Sequence, residues 1–301
     1  MNRPKELREC LDRVLRQTPK PASILIVDDG CLDIAPIDFR LRQEGVPLVY
    51  IRKESPGLIG SLNLIADRAD TPWVLILDDD ILLEDHFVAR ISRLLQSPKS
   101  DAIVGIAGYP IQRHYLRRSW RTCMRQKLER FFLIGGGTEG RALSSSYVTD
   151  YQLGSHPAHP WSVDHVPGGL GWWRSDVLRA VRFDECYTGY AYGNDKDFAL
   201  RAKTLGRLVC IPTARAEHRK SPNARVPSRS LGRMKILNQH RFFRRHREQA
   251  GFHALAYAWA TLGLMLVTAI ACLTAPASLR AQELRGMLEG IGEILFRKGT
   301  A

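Results

Sequence analysis

The chain has 301 residues, 45% of them apolar, which is enough for a real hydrophobic core in one large domain or two small ones. Its formal charge of +13 points to an anionic partner: a phospholipid surface, a nucleotide diphosphate or a nucleic acid. The six cysteines form no CxxC pair and no regular spacing, as expected of free thiols in a reducing compartment, and the polar start Met1-Asn-Arg-Pro-Lys excludes an ordinary signal peptide.

Residues 5 to 17 read as a helix with Leu7, Leu11 and Leu15 on one face. The run Ser23-Ile-Leu-Ile-Val27 is continuously apolar and stops at Asp28-Asp-Gly30, the pattern of a buried parallel strand reaching its carboxyl edge. Residues 46 to 51 read as the next strand and 58 to 69 as a helix. Trp73-Val-Leu-Ile-Leu77 is another buried strand, ending on three consecutive aspartates. A helix over 84 to 96 and a strand over 102 to 108 follow. This alternation predicts an open α/β sheet, whose ligands bind beyond the carboxyl ends of the strands. Residues 111 to 160 are irregular, with a basic, aromatic helix over 115 to 132, the run Gly135-Gly-Gly137 and a polar stretch that reads as an insertion. A helix over 195 to 205, a strand over 208 to 211 and a basic linker complete this part.

From 249 to 279 there is no charge, directly after Arg241-Phe-Phe-Arg-Arg-His-Arg247. The apolar stretch 253 to 275 suffices for one bilayer crossing; a buried helix packed on the domain is the alternative. Basic residues just before such a stretch favour the cytosolic side of an inner membrane and anionic headgroups, as would Arg117, Arg118 and Arg121. Beyond Pro276, residues Leu284, Leu288, Ile291 and Leu295 are three or four apart, with Arg285, Glu289 and Glu293 off that line. They predict an amphipathic helix that lies at an interface or packs back onto the protein, and Pro276 also permits a re-entrant hairpin. The expected division is a domain over 1–235, then a basic linker, a transmembrane or re-entrant helix and an amphipathic tail over 236–301, through which an oligomer or a partner could form.

Two clusters carry chemistry. In Leu77-Asp-Asp-Asp80 the acids repel one another, and stability alone gives no reason for them. A divalent cation offsets that cost and can bridge carboxylates to diphosphate oxygens; a solvated loop is the plain alternative. In Tyr192-Gly-Asn-Asp-Lys-Asp-Phe198, Asn194 or Asp195 either caps the helix it opens or supplies a general base.

With Val27-Asp-Asp-Gly30, Pro56-Gly-Leu-Ile-Gly-Ser-Leu-Asn63, Gly168-Gly-Leu-Gly-Trp-Trp-Arg174 and Asn194-Asp-Lys-Asp-Phe-Ala-Leu-Arg201, these motifs resemble the family 2 glycosyltransferases over roughly residues 5 to 220. The resemblance implies a GT-A fold, with a mostly parallel Rossmann-like sheet flanked by helices, and a nucleotide sugar as donor. It implies Mg2+ or Mn2+ as cofactor, a saccharide or lipid-linked acceptor, inversion at the anomeric carbon, and no nucleic acid. By the same resemblance Asp29 meets the nucleotide base with Asp28 beside it, and Asn63, Asp78 and Asp79 belong to the nucleotide site. Asp80 is the metal ligand and His218 lies near metal and diphosphate. Gly169, Trp172, Trp173 and Asn194 face the donor and acceptor sugars, the indoles stacking on a pyranose. Asp195 is the base, and Asp184, Glu185 and Asp197 are expected to lift its pKa. Two departures stand out. Relatives begin with an apolar strand and a loop ending in a Tyr-Asn-Arg-like triplet, whereas this sequence begins at Met1-Asn-Arg3 without that strand, so the start lies upstream or the nucleotide site is built differently. Asn194 also replaces an acid. The alternative to an enzyme is a catalytically inactive membrane adaptor.

Overall fold

A computed structural model of the protein describes residues 3–111, 120–151, 157–219, 226–272 and 277–296. Arg117, Arg118 and Pro276, and the side chain of Arg121, lie outside the described residues. The chain opens with helix α1 (Pro4–Leu15), then alternates strand β1 (Ile24–Asp28), helix α2 (Ala35–Gln43), strand β2 (Leu48–Arg52), helix α3 (Leu58–Arg68) and strand β3 (Trp73–Leu77). A short strand β4 (Ile81–Leu83), helix α4 (Phe87–Leu95), strand β5 (Ile103–Ile111) and helix α5 (Trp120–Phe131) follow. Strands β6 (Trp161–Ser162) and β7 (Leu170–Arg174) lead into helices α6 (Ser175–Val181) and α7 (Asn194–Ala202) and the long strand β8 (Arg207–His218). Helices α8 (Ser228–His246), α9 (Ala254–Cys272) and α10 (Ala277–Phe296) complete the described chain.

The α/β architecture with C-terminal helices is the one expected, but the strand directions differ. The larger sheet runs β3-β7-β5-β8-β4 with β6 also on β8, and within it only β5 and β8 are parallel. β1 and β2 pair in parallel as a separate sheet, and among the described residues β1 has no other strand neighbour. One face of β1 is closed by α1 and α2, through Leu11, Leu15, Ile37, Leu41, Ile24 and Ile26. Apolar strand runs reveal burial but not direction, which explains why a mostly parallel sheet was expected.

Pleating sorts the core. On β7, Trp173 enters one apolar cluster with Val104, Leu178 and Phe198, while Leu170 and Trp172 pack with Phe87, Ile91 and Ile106 in the other. The stretch expected as a basic linker is instead the helix α8, running unbroken across the boundary placed at residue 235. Ile236, Phe242 and Phe243 are buried, and Asn238 and Gln239 donate hydrogen bonds to the carbonyls of Tyr192 and Ser146. The amphipathic helix takes the packed-back alternative: α10 lies on α8 so closely that a Cβ on Gly286 would fall 1.9 Å from the Arg229 carbonyl oxygen.

Candidate functional site

The site assembles where β3 and β8 end and β7 and α7 begin. Gly168 and Gly169 lie at its centre, directly before β7, whose pairing with β3 brings the Asp78 amide onto the Gly169 carbonyl at 3.0 Å. A Cβ on Gly169 would fall 2.1 Å from Asp78 Oδ2, and one on Gly168 would fall 3.3 Å from the Asp195 Cβ. Two glycines thus let two carboxylates from distant parts of the chain approach one stretch of backbone from neighbouring residues.

Next to Asp78 stands the rest of the acidic triplet. The register of β4 on β8 sets Ile81 opposite His218, and this draws His218 Nε2 to 3.5 Å from Asp80 Oδ1. Arg3 pairs with Asp79 at 2.6 Å and with Asp80 at 3.3 Å. Burial, and then the charge of Asp80, push the Asp78 carboxyl up to about 6 despite His218 and Arg3. Negative charge is therefore in excess here, as a cation site requires. No group of three His, Cys, Asp or Glu side chains forms a ready-made cage among the described residues. Asp80 and His218 fit a divalent ion held by two side chains, with phosphate oxygens and water supplying the remaining positions, which suits Mg2+ or Mn2+.

Asp195 stands in the first turn of α7, where Gly193 at φ +84 is the N-cap and neither Asn194 nor Asp195 caps by its side chain. Its Oδ2 lies 2.9 Å from His165 Nε2 and accepts the Gly168 amide at 3.3 Å, while Oδ1 accepts the Lys196 amide at 2.9 Å. Burial pushes this carboxyl up, but the charge and hydrogen bond of His165 outweigh it and hold the group at about 2. The expectation that neighbouring acids lift it is overturned, because those acids are neutralised elsewhere. Asp184 pairs with Arg245, and Asp197, fully buried, is bound by His246 at 2.9 Å and Arg201 at 2.9 Å.

Several expected contacts are used up inside the fold. Asp28 accepts the Gly30 and Leu32 amides and the Tyr50 hydroxyl, bracing the turn after β1. Asp29 pairs with Lys53 at 2.8 Å and accepts the Gly57 amide at 2.8 Å, which ties that turn to the start of α3. Asn63, 5% exposed, spends its amide on both backbone groups of Phe183 and is a clamp, not a nucleotide contact. Trp173 is 2% exposed and meets Phe198 edge-on at 4.8 Å, so its indole is not free to stack on a sugar, while Trp172, half-buried, packs against the other cluster. Asn194 is buried; its Nδ2 donates to the Ala191 carbonyl, and its Oδ1 has no hydrogen-bond partner among the described residues.

Three residues were missed. His165 carries no motif, since its role depends on the loop before Gly168 meeting α7. Arg3 acts only once α1 lies beside β4. Tyr190 is 54% exposed, and burial together with Asp78 and Asp195 pushes its phenol up, which places an aromatic face at the same opening. Its closeness to Asn194 in sequence was the available signal.

Comparison with known proteins agrees with this geometry. Residues 1–148 match the family described as glycosyl transferase family 2. The glycosyltransferase GlyA of Streptococcus pneumoniae serotype 4 is 27% identical over 107 residues, which cover 33% of this chain and 14% of that protein, so the chain spans only a small part of this relative's length. The mannosyltransferase PcManGT from Pyrobaculum calidifontis, solved with GDP-Man and Mn2+, superposes with a TM-score of 0.56 at 15% identity, over 99% of this chain and 85% of that one. GalNAc-T7, solved with UDP, GalNAc and Mn2+, gives 0.54 at 14% identity, over 86% and 51%. Residues 1–148 thus resemble glycosyl transferase family 2, and the whole chain shares the GT-A-like fold of these solved transferases.

Proposed function

We propose that the protein transfers a sugar from a nucleotide sugar to a saccharide or lipid-linked acceptor, with inversion, at the cytoplasmic face of a membrane. The observation that carries this reading is the approach of Asp78 and Asp195 to the adjacent glycines Gly169 and Gly168, with the Asp80–His218 pair alongside. Asp80 and His218 would hold a divalent cation, which when bound neutralises charge on the departing nucleoside diphosphate. Asp78, at the end of β3, would border the nucleotide, and Tyr190 would offer its ring to a sugar. Asp195 would accept the proton of the attacking hydroxyl as the new bond forms at the anomeric carbon. His165, by donating to Oδ2, keeps Asp195 ionised and fixes the plane of its carboxylate, so that the free lone pairs face one direction. Such a base is weak, so the proton transfer comes late, when the attacking oxygen has already become acidic.

The metal-bound structures of PcManGT and GalNAc-T7 support the donor and cation classes, and the long apolar helix α9 supports membrane association. The transfer unit of this reading reaches through α8, because α8 packs on Tyr192 and anchors Asp197 two residues after the base. The test is a screen of nucleotide sugars for divalent-dependent turnover by the full chain in detergent. Loss of turnover in Asp195→Asn with nucleotide binding kept supports the assignment. Binding without turnover of any donor by the unaltered chain points to the inactive adaptor instead.

A further inference from the structure

Helix α9 is long and apolar enough to cross a bilayer by length and composition. Its exposure, however, is one-sided. Leu255, Trp259, Leu262, Leu266 and Ile270, spaced three or four apart, are 87, 39, 47, 42 and 49% exposed and form a single stripe. Ala260, Gly263 and Thr268, which lie off that stripe, are buried against the protein. The Trp259 indole N–H donates to the Phe131 carbonyl at 2.9 Å, and its ring lies 5.3 Å from that of Phe131 and 4.9 Å from that of Phe132. Gly263 lets Phe132 approach so closely that a Cβ there would fall 2.2 Å from it. Tyr257 stacks on Phe243 of α8 at 4.3 Å.

Both ends of α9 are fastened to the same body. Before it, the His253 amide donates to the Ser144 carbonyl at 2.8 Å. After it, α10 returns along α8 and is fixed there by Arg229–Glu289, Arg233–Glu293 and Lys235–Glu283 ion pairs and by the close backbone approach at Gly232 and Gly286. A helix of 19 residues is about 28 Å long, so a crossing would carry its far end one membrane thickness away from α8. The ion pairs and the glycine contacts forbid that.

The exposed stripe of α9 continues onto α5. Phe131, touching Trp259, is 63% exposed, and Met124 and Trp120, seven and eleven residues before it on one helical face within the spacing of whole turns, are 51 and 73% exposed. Exposed basic residues border this surface in sequence: Arg125, Lys127 and Arg130 on α5, and Arg244 and Arg247 at the end of α8. An apolar surface with exposed cations on α5 and just before α9 in the chain complements a bilayer with anionic headgroups. We infer that α9 lies in the plane of the membrane surface beside α5, the two helices forming one seat for an anionic bilayer, and that α9 does not cross it. This rests on the reading that the protein works at a membrane and deepens it by naming the surface.

Topology tests it without any assay of transfer. In full-length protein whose exposed or half-buried cysteines Cys31, Cys123, Cys186 and Cys272 are replaced by Ser, His253→Cys and Ser278→Cys flank α9. In sealed vesicles with the α/β domain outward, an impermeant maleimide should label both positions equally; labelling of Ser278→Cys only after detergent would overturn the inference. Flotation with vesicles of phosphatidylcholine alone or with added phosphatidylglycerol provides the second arm. Binding should strengthen with the anionic lipid, and Leu262→Glu and Met124→Glu should each weaken it by about tenfold or more. Unchanged binding by Met124→Glu, equal binding to neutral vesicles, or a dimer that ignores vesicles would each refute the seat. A protein that fails to turn over nucleotide sugars yet passes these tests would leave the seat standing and remove only the transfer reading.

Discussion

Replacing His165 by Ala tests how Asp195 is set. The carboxyl is held at about 2 against an ordinary value of 3.8, so its ionised form is favoured in the fold by close to two pH units, or ~2 kcal/mol. A depressed carboxylate contributes stability that is fully present above its unfolded value near 4 and is lost as pH falls through the folded value near 2. His165 supplies the charge and the hydrogen bond that outweigh burial, so without it burial acts unopposed by that partner and the carboxyl rises to its ordinary range or above. His165→Ala should therefore be less stable than the unaltered protein by ~2 kcal/mol at pH 7 in urea unfolding, with the gap narrowing once pH drops below about 4. The acid limb of kcat/KM should move up by about two units, and kcat should fall by roughly tenfold to a hundredfold because the carboxylate loses its fixed plane. His165→Gln, which keeps an N–H donor, should recover part of kcat but less of the acid-limb position. An unmoved acid limb in His165→Ala, or a stability gap constant from pH 7 to pH 3, would refute the reasoning.

Asn63→Ala removes a buried two-way clamp on Phe183 and should cost about 2–3 kcal/mol in denaturant unfolding while leaving the KM for the nucleotide sugar unchanged at a permissive temperature. Gly169→Ala should retain the fold, with a stability loss of about 1–3 kcal/mol, but weaken divalent-dependent nucleotide binding by tenfold or more in calorimetry, roughly, because its methyl displaces Asp78. Arg3→Ala takes a guanidinium off Asp79 and Asp80 and should lower the divalent concentration needed for half-maximal binding, read by metal titration.

The sequence exposed the elements whose residues signal locally. Continuous apolar runs marked β1, β3 and β5, and the Asp-Gly and triple-Asp stops marked the carboxyl ends of β1 and β3. The acids Asp78, Asp80 and Asp195 stood out because carboxylates crowded at a strand end or helix start have few structural excuses. Trp173 was misjudged because alternation on β7 turns its indole into a core cluster, a fact that needs the strand's neighbours. Asp28, Asp29 and Asn63 were nearer to structure than to ligand because Gly30, Lys53 and Phe183 reach them only in the fold. The α8 helix was hidden by its charge: six of its residues are Arg or Lys, and only packing on Tyr192 and Ser146 reveals its buried face. His165 stayed silent for the same reason, since a lone histidine has no pattern until its partner arrives from 30 residues away.

The central claim is that Asp78, Asp80, His218 and Asp195 act as one divalent-dependent sugar-nucleotide site around Gly168 and Gly169. The most direct measurement is sugar release from a panel of nucleotide sugars, with EDTA or with added Mg2+ or Mn2+, by the full chain and by its Asp80→Ala and Asp195→Asn variants. The account predicts release only with the divalent ion, lost in both variants, while Asp195→Asn still binds the nucleoside diphosphate. Release that persists in EDTA, or that Asp195→Asn sustains at the unaltered rate, would contradict it.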